Sequence, residues 1–254
     1  MKNMSIIMVL VFSSLMCNAN EGGFDKANLA QLKKAFPEIE IDSVTSLDVK
    51  NIKNGSLYCA LVLKEEQEEG DINSNFGINL VLFDSSKKII AKSSLPDSFV
   101  SNTSISCDTA PYKLSEKELL YGIRISNYYS STSHNTSSTT LDLYRKVNDT
   151  LINVFNIVVL SSSTVKLENT NQTDDSKSIV IVTNHKTNNS FDLKIKTETN
   201  SKEEPNDDAD KTKVKLSKPE KTKTEKIYTW DGFSFYFQIK TIICYVIGHN
   251  NNRF

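Results

Sequence analysis

The sequence predicts a mainly β protein: an antiparallel sheet, sandwich or open barrel with one short helix near the N-terminus. Two observations lead to this prediction. Compact apolar runs alternate with polar turns, and only one segment shows helical spacing. The apolar runs occupy residues 57–63, 78–83, 89–93, 119–126, 141–147 and 151–160. Short runs bounded by Asn, Asp and Ser are typical of strands in antiparallel sheets.

The predicted helix covers residues 26–36. Asp25 precedes it as an N-cap, Leu29 and Leu32 belong to an apolar stripe at helical spacing, and Pro37 ends it. Beyond this proline the apolar pattern becomes strand-like.

Residues 1–19 have the features of a secretory signal peptide. Lys2 precedes an apolar run at 6–12, and small residues lead to cleavage after Ala19. The run is about half as long as a bilayer span requires, so no transmembrane segment is expected in the mature chain. These features predict a periplasmic or secreted protein. A lipoprotein modified at Cys17 is the alternative.

The charge balance argues against a nucleic-acid partner. The chain of 254 residues carries 30 basic and 31 acidic side chains, a net charge of −1. Both nucleic acids and anionic membranes are negatively charged and bind basic protein surfaces. We therefore expect neither nucleic acid nor an anionic membrane as a partner.

Cysteine usage agrees with export. Of the four cysteines, Cys59 and Cys107 lie in the regular part of the chain, so we predict a disulfide between them. Closing that loop would stabilise the fold by about 4 kcal/mol in the chain-entropy model. Two unpaired buried cysteines are the alternative.

The chain is divided by composition. Residues 20–199 are predicted to form a β-rich domain, 200–226 a charged, flexible excursion, and 227–254 a closing aromatic hairpin and apolar tail of the same domain. The excursion is almost devoid of apolar residues, so burial cannot offset the entropy of ordering it. A second polar stretch at 128–140, "YYSSTSHNTSSTT", is predicted to be a mobile hairpin tip.

The closing hairpin, "IYTWDGFSFYF", contains the only tryptophan of the chain. Asp231-Gly232 suits a tight turn between two strands. The aromatic residues return the chain to the core after the polar excursion, and the alternative is an aromatic platform that binds a ligand. The residues of that platform would be Tyr228, Trp230, Phe233 and Phe235.

Three turns share one pattern, an Asn or Asp followed by a residue that tolerates positive φ and then by a strand. They are Asn54-Gly55, Asn188-Asn189 and Asp231-Gly232. With the elements "TNNSFDLKI" and "YTWDGFSFY", the chain resembles exported bacterial β-rich proteins of unassigned function. Those proteins close on Asn-Gly-x-x-Asp-Leu and Tyr-x-Trp-Asp-Gly-x-x-Tyr elements.

These elements are in turn similar to degenerate calcium-binding repeats of propeller blades. At the first turn Asn54 alone keeps a ligand-type side chain, whereas calcium takes about six oxygen ligands. We therefore expect the turns to be structural, with no metal and no cofactor.

The histidines offer little catalytic signal. His134, His185 and His249 lack the partner spacing of a transition-metal site, and the chain has no nucleophile elbow or phosphate loop. His185 and Asp192 could still act with a serine, as in a serine hydrolase.

Three aspartates lie within or beside apolar runs: Asp48, Asp142 and Asp192. In such positions an aspartate more often caps a turn or accepts a backbone N–H than catalyses. Carboxylate pairs for glycoside hydrolysis depend on the fold and stay open.

The sequence thus favours a noncatalytic exported protein that binds an unknown protein or envelope component. The alternatives are an envelope-polymer hydrolase and a periplasmic inhibitor or immunity protein. A deep cleft that holds His185 or converging carboxylates would favour the hydrolase.

Overall fold

The computed structural model describes residues 44–51, 57–64, 76–86, 88–99, 103–206 and 216–237. These form twelve strands: β1 (Val44–Asn51), β2 (Leu57–Lys64), β3 (Phe76–Phe83), β4 (Ile89–Phe99), β5 (Thr103–Lys113), β6 (Leu119–Ser130), β7 (His134–Val147), β8 (Thr150–Lys166), β9 (Thr170–Thr187), β10 (Ser190–Pro205), β11 (Glu220–Trp230) and β12 (Phe235–Phe237). The mainly β prediction is confirmed. The predicted signal peptide, the helix at 26–36, the Asn54-Gly55 turn and the tail after 237 lie outside the described residues.

Two antiparallel meanders make up the sheet. Strands β1 to β4 pair in sequence order, as do β5 to β12. In the described part of the chain, one parallel bridge pairs the two meanders, where Lys92 lies opposite Thr150. There the Lys92 N–H donates to the carbonyl oxygen of Asp149 at 2.9 Å. Local hairpins therefore set nearly all of the strand order.

The buried apolar side chains form two clusters. The first joins residues from β3 to β8: Ile78, Leu80, Leu82, Ala91, Ile105, Cys107, Ile123, Ile125, Tyr144 and Leu151. The second contains Tyr112, Leu114, Leu120, Leu141, Leu143, Val154, Phe155, Val159, Leu193, Ile195, Trp230 and Phe235. In β7 the residues from Leu141 to Tyr144 are all buried. Both faces of β7 are therefore covered, and it contributes to both clusters.

Past the second cluster, the long strands continue as a sheet that buries none of its described side chains. We call this part the polar extension; it comprises residues 134–140, 161–166, 170–177, 196–205 and 220–226. Hydroxyl pairs such as Thr164 and Thr173, 3.2 Å apart, connect its strands. Glu198 also forms ion pairs with Lys221 and Lys223. Hydrogen bonds and charge pairs therefore replace apolar burial here.

The stretch at 128–140 is strand rather than a mobile tip. β6 runs to Ser130 and β7 begins at His134, which leaves only the three residues 131–133 for the turn. The Ser126 and Thr139 hydroxyls lie 2.8 Å apart, and the Ser130 hydroxyl donates to Asn135 Oδ1 at 2.5 Å. Such cross-strand pairs stabilise a sheet whose side chains are polar.

The charged segment at 200–226 is divided between two strands. Residues 200–205 end β10 and 220–226 begin β11, with 207–215 outside the described part. Across the pair, Asn200 lies opposite Lys221 and Ser201 opposite Glu220. Backbone pairing thus orders both ends of this segment.

The aromatic hairpin closes on a turn that begins at Asp231. Asp231 Oδ1 accepts the backbone N–H groups of Phe233 at 2.7 Å and Ser234 at 2.8 Å. Gly232 has a φ of 109°, which glycine adopts without strain. Trp230 then lies opposite Phe235 in the β11–β12 pair. The turn therefore determines which aromatic side chains meet.

Two of the four predicted aromatic residues belong to the core. Trp230 is 4% exposed and Phe235 is 7% exposed, with their ring centroids 5.2 Å apart. Tyr228 is half-buried against Phe155, at a centroid distance of 5.1 Å. Phe233 is 86% exposed. The four side chains therefore present a single open ring to solvent.

Replacing Trp230 by alanine should lower the free energy of unfolding by about 3 to 5 kcal/mol, because it removes a buried aromatic side chain. Phe233→Ala is the matched control and should change it by less than about 0.5 kcal/mol, since that ring is exposed. Urea unfolding followed by circular dichroism measures both. Equal losses would contradict this account of the hairpin.

The stability of the hairpin should also depend on pH. Backbone hydrogen bonds from Ser234 and Phe233 hold the pKa of Asp231 below its ordinary value. A lowered carboxyl pKa contributes stability above the unfolded-state pKa, and this is lost as pH falls through the folded-state pKa. Asp231→Asn should therefore lower the melting midpoint at pH 7, and the gap to the parent should close towards pH 2. A gap independent of pH would count against the carboxylate as its source.

Candidate functional site

A cleft of about 480 Å³ lies where β9, β10, β11 and β12 meet. Its lining mixes hydroxyl, charged and apolar side chains: Thr183, His185, Thr187, Asp192, Lys194, Glu225, Lys226, Ile227, Thr229 and Phe237. We call it the His185 cleft. Its volume lies within the range that accommodates a small ligand or a few residues of a larger one.

A β-bulge in β9 lies in the wall of the cleft. After the Asn188-Asn189 turn, β9 and β10 pair regularly as far as Lys186 opposite Phe191. The next regular pair is Val182 with Leu193, so three residues of β9, 183–185, stand opposite Asp192 alone. A bulge bends its strand and redirects side chains. Here the three residues 183–185 lie around Asp192, and His185 contacts its buried carboxylate.

His185 and Asp192 form the central contact of the cleft. His185 Nδ1 lies 2.5 Å from Asp192 Oδ2, and the Thr187 hydroxyl donates to the same oxygen at 3.3 Å. Asp192 is 1% exposed, whereas the His185 side chain is 76% exposed. The buried carboxylate thus orients an exposed imidazole, and His185 Nε2 is left to meet a ligand.

Two buried polar atoms in the lining lack hydrogen-bond partners among the described residues. They are Asp192 Oδ1 and Thr229 Oγ1. Thr229 is only 4% exposed. Leaving a buried polar group without a partner costs about 1 to 3 kcal/mol. A site that carries two such atoms beside an exposed imidazole is suited to a ligand that supplies the missing hydrogen bonds.

Charges of both signs surround the cleft. Lys194 Nζ lies 3.4 Å from Glu225 Oε2, and Lys196 Nζ lies 3.0 Å from Glu225 Oε1. The hydrogen bond from Lys196 is the main cause that lowers the pKa of Glu225, and Lys194 adds to it. Lys226 Nζ lies 5.4 Å from the ring centroid of Phe237. The rim therefore has no single dominant charge.

The His185–Asp192 pair has the arrangement of a general base and the carboxylate that orients it. A nucleophilic mechanism also needs an activated hydroxyl or thiol near the free imidazole nitrogen. The lining described above contains threonines but no serine or cysteine. The described lining therefore has the groups needed to bind a ligand by hydrogen bonds, but it does not contain the serine or cysteine of a catalytic triad.

The other aspartates singled out from the sequence lie elsewhere. Asp48 Oδ2 accepts the backbone N–H of Cys107 at 2.7 Å. Asp142 is buried and accepts a hydrogen bond from Asn156 Nδ2, and burial raises its pKa. Both have structural partners, as expected for aspartates beside strands.

Cys107 is buried, and its Sγ lies 3.5 Å from the carbonyl oxygen of Asp48. Cys59 lies in β2, opposite Val49 of β1, and its side chain is outside the described part. The Cys59–Cys107 disulfide therefore stays a prediction.

His134 lies far along the chain from the cleft, in the polar extension. Its Nε2 lies 3.1 Å from the Ser163 hydroxyl, and its ring contacts Tyr129 at a centroid distance of 6.4 Å. The described residues contain no group of three or more His, Cys, Asp or Glu side chains that could hold a metal ion. They also contain no helix that is long and apolar enough to cross a membrane.

Comparisons of the chain with protein-family models, with curated proteins and with solved structures gave no match. The geometry of the cleft is therefore the basis for assigning a function.

Replacing Thr229 by valine should raise the free energy of unfolding by about 1 kcal/mol, because a buried hydroxyl without a partner is exchanged for a methyl group of similar size. Thr229→Ser keeps the hydroxyl, loses a methyl group and should be less stable than the parent. Urea unfolding of the ligand-free chain measures both. A less stable valine variant would show that the hydroxyl already has a partner.

Proposed function

We propose that the protein is a noncatalytic exported binding protein that holds part of an envelope or extracellular component in the His185 cleft. The observation that carries this proposal is the pair of buried polar atoms without partners, Asp192 Oδ1 and Thr229 Oγ1, in the lining of a cleft with an exposed imidazole. Export is inferred from the signal-peptide features of residues 1–19.

The lining favours a ligand that has both polar and apolar surface. A carboxylate oxygen such as Asp192 Oδ1 accepts hydrogen bonds, and the Thr229 hydroxyl can donate or accept one. His185 Nε2 donates or accepts according to the tautomer of the imidazole. Ile227 and Phe237 provide apolar contact, with exposures of 42% and 41%. A ligand group with N–H or O–H donors beside an apolar face matches this set. Amide-bearing sugars and short peptides of the envelope both fit this description.

Isothermal titration calorimetry with soluble peptidoglycan fragments, neutral oligosaccharides and short peptides tests the proposal. We expect one of these classes to bind the parent chain and to bind Thr229→Val and His185→Ala at least about tenfold more weakly, as expected for the loss of one buried hydrogen bond. Lys113→Ala, outside the cleft, is the control and should bind like the parent. Failure of all three classes to bind, or equal binding by every variant, would overturn the proposal.

An envelope-polymer hydrolase is the second candidate, favoured by the contact between His185 and Asp192. It predicts that the chain releases soluble fragments from a peptidoglycan suspension, and that His185→Gln and Asp192→Asn each abolish the release. The binding proposal predicts that the chain sediments with the suspension and releases nothing. If fragments are released and the release depends on His185, the function is hydrolysis rather than binding.

A further inference from the structure

Among the described residues, one edge of β11 is paired over only a short part of its length. β10 pairs with β11 from Glu220 to Tyr228, whereas β12 covers the opposite edge only from Tyr228 to Trp230. Among the described residues, no strand pairs with that edge over 220–227. Every residue of this stretch is exposed. Its outward N–H and C=O groups are therefore available to another strand.

The open edge has the sequence Glu-Lys-Thr-Lys-Thr-Glu-Lys over residues 220–226. When two copies of it are aligned antiparallel about Lys223, opposite residues are complementary. Glu220 faces the partner's Lys226, Lys221 faces the partner's Glu225, and Thr222 faces the partner's Thr224. Cross-strand pairs of opposite charge and of threonine stabilise antiparallel sheets. Lys223 alone meets a like residue, its own symmetry mate.

We propose that the chain forms a two-fold symmetric dimer through the open edge of β11, centred on Lys223, so that the two sheets become continuous. Neighbouring charges offset the like pair at the centre. Glu198 of β10 lies opposite Lys223 and forms ion pairs with both Lys221 and Lys223. Each central lysine is therefore flanked by a carboxylate on its own chain.

The charge pattern selects this register over its neighbours. Two-fold symmetry requires one residue to face its own mate, so the neighbouring registers are centred on Thr222 and on Thr224. The register on Thr222 places Lys221 opposite the partner's Lys223. The register on Thr224 keeps one type of opposite-charge pair, Lys223 with Glu225, whereas the register on Lys223 has two. Charged side chains, lysine above all, often protect a sheet edge from pairing with other chains. The alternation in β11 instead makes the edge self-complementary, as a two-fold interface requires.

Disulfide trapping tests the register in the full chain. Directly opposite Cα atoms in an antiparallel pair are about 4.5 to 5.5 Å apart, which a disulfide can bridge. Lys223→Cys should therefore form a covalent dimer on oxidation. Lys221→Cys is the matched control, because in this register its symmetry mate lies about 13 Å away along the strand. Non-reducing electrophoresis gives the yield, and mass spectrometry of the linked peptide excludes the native cysteines.

Sedimentation equilibrium tests the energetics without any added cysteine. Lys223→Thr removes the like pair and should tighten the dimer, whereas Glu220→Lys creates two like pairs by symmetry and should weaken it about tenfold or more. Circular dichroism confirms that each variant is folded. A parent chain that is monomeric at every concentration, equal trapping of the two cysteine variants, or a dimer indifferent to Glu220→Lys would overturn the proposal. None of these measurements depends on the cleft.

Discussion

The pairing of β9 with β10 is the constraint on which the cleft and the open edge both depend. It starts at Asn188 and Asn189, whose φ angles of 53° and 63° form the two-residue turn that joins the strands, and it continues to Pro205 opposite Thr170. Asparagine adopts these angles at low cost. Because this short turn sets the register, it places His185 beside Asp192 and positions β10 to carry β11.

Much of the fold follows from local sequence signals. The apolar runs at 78–83 and 119–126 become β3 and β6. In the turn between β7 and β8, Asn148 has a φ of 55°, which asparagine adopts at low cost. The prediction of a mobile tip at 128–140 is wrong, because serine and threonine do not by themselves indicate a loop. Threonine is β-branched and favours strands, and paired hydroxyls satisfy one another across the ladder. A polar sequence alone therefore does not distinguish a loop from a sheet whose two faces are both exposed to solvent.

The candidate site was only half predictable. A two-residue turn at Asn188-Asn189 places residue 185 opposite residue 192 by simple counting, so the sequence allows the His185–Asp192 contact to be anticipated. The bulge that leaves Asp192 opposite three residues of β9 has no such signal. Thr229 lies in β11, which a long connection separates from β10. The length of such a connection does not reveal which residues of β10 and β11 lie opposite each other. Contacts between distant strands are therefore what sequence reasoning missed.

The polar extension also affects how the stability of the chain depends on temperature. Unfolding raises the heat capacity when apolar surface becomes hydrated and lowers it when polar surface does. Melting the described part of the extension newly hydrates mainly backbone amides and half-buried polar side chains, because it has no buried apolar side chains to expose. The heat-capacity increment per residue is therefore smaller than in a sheet protein with the same number of residues around a core. A smaller increment flattens the stability curve, so the folded state is preserved over a wider temperature range for a given maximum stability.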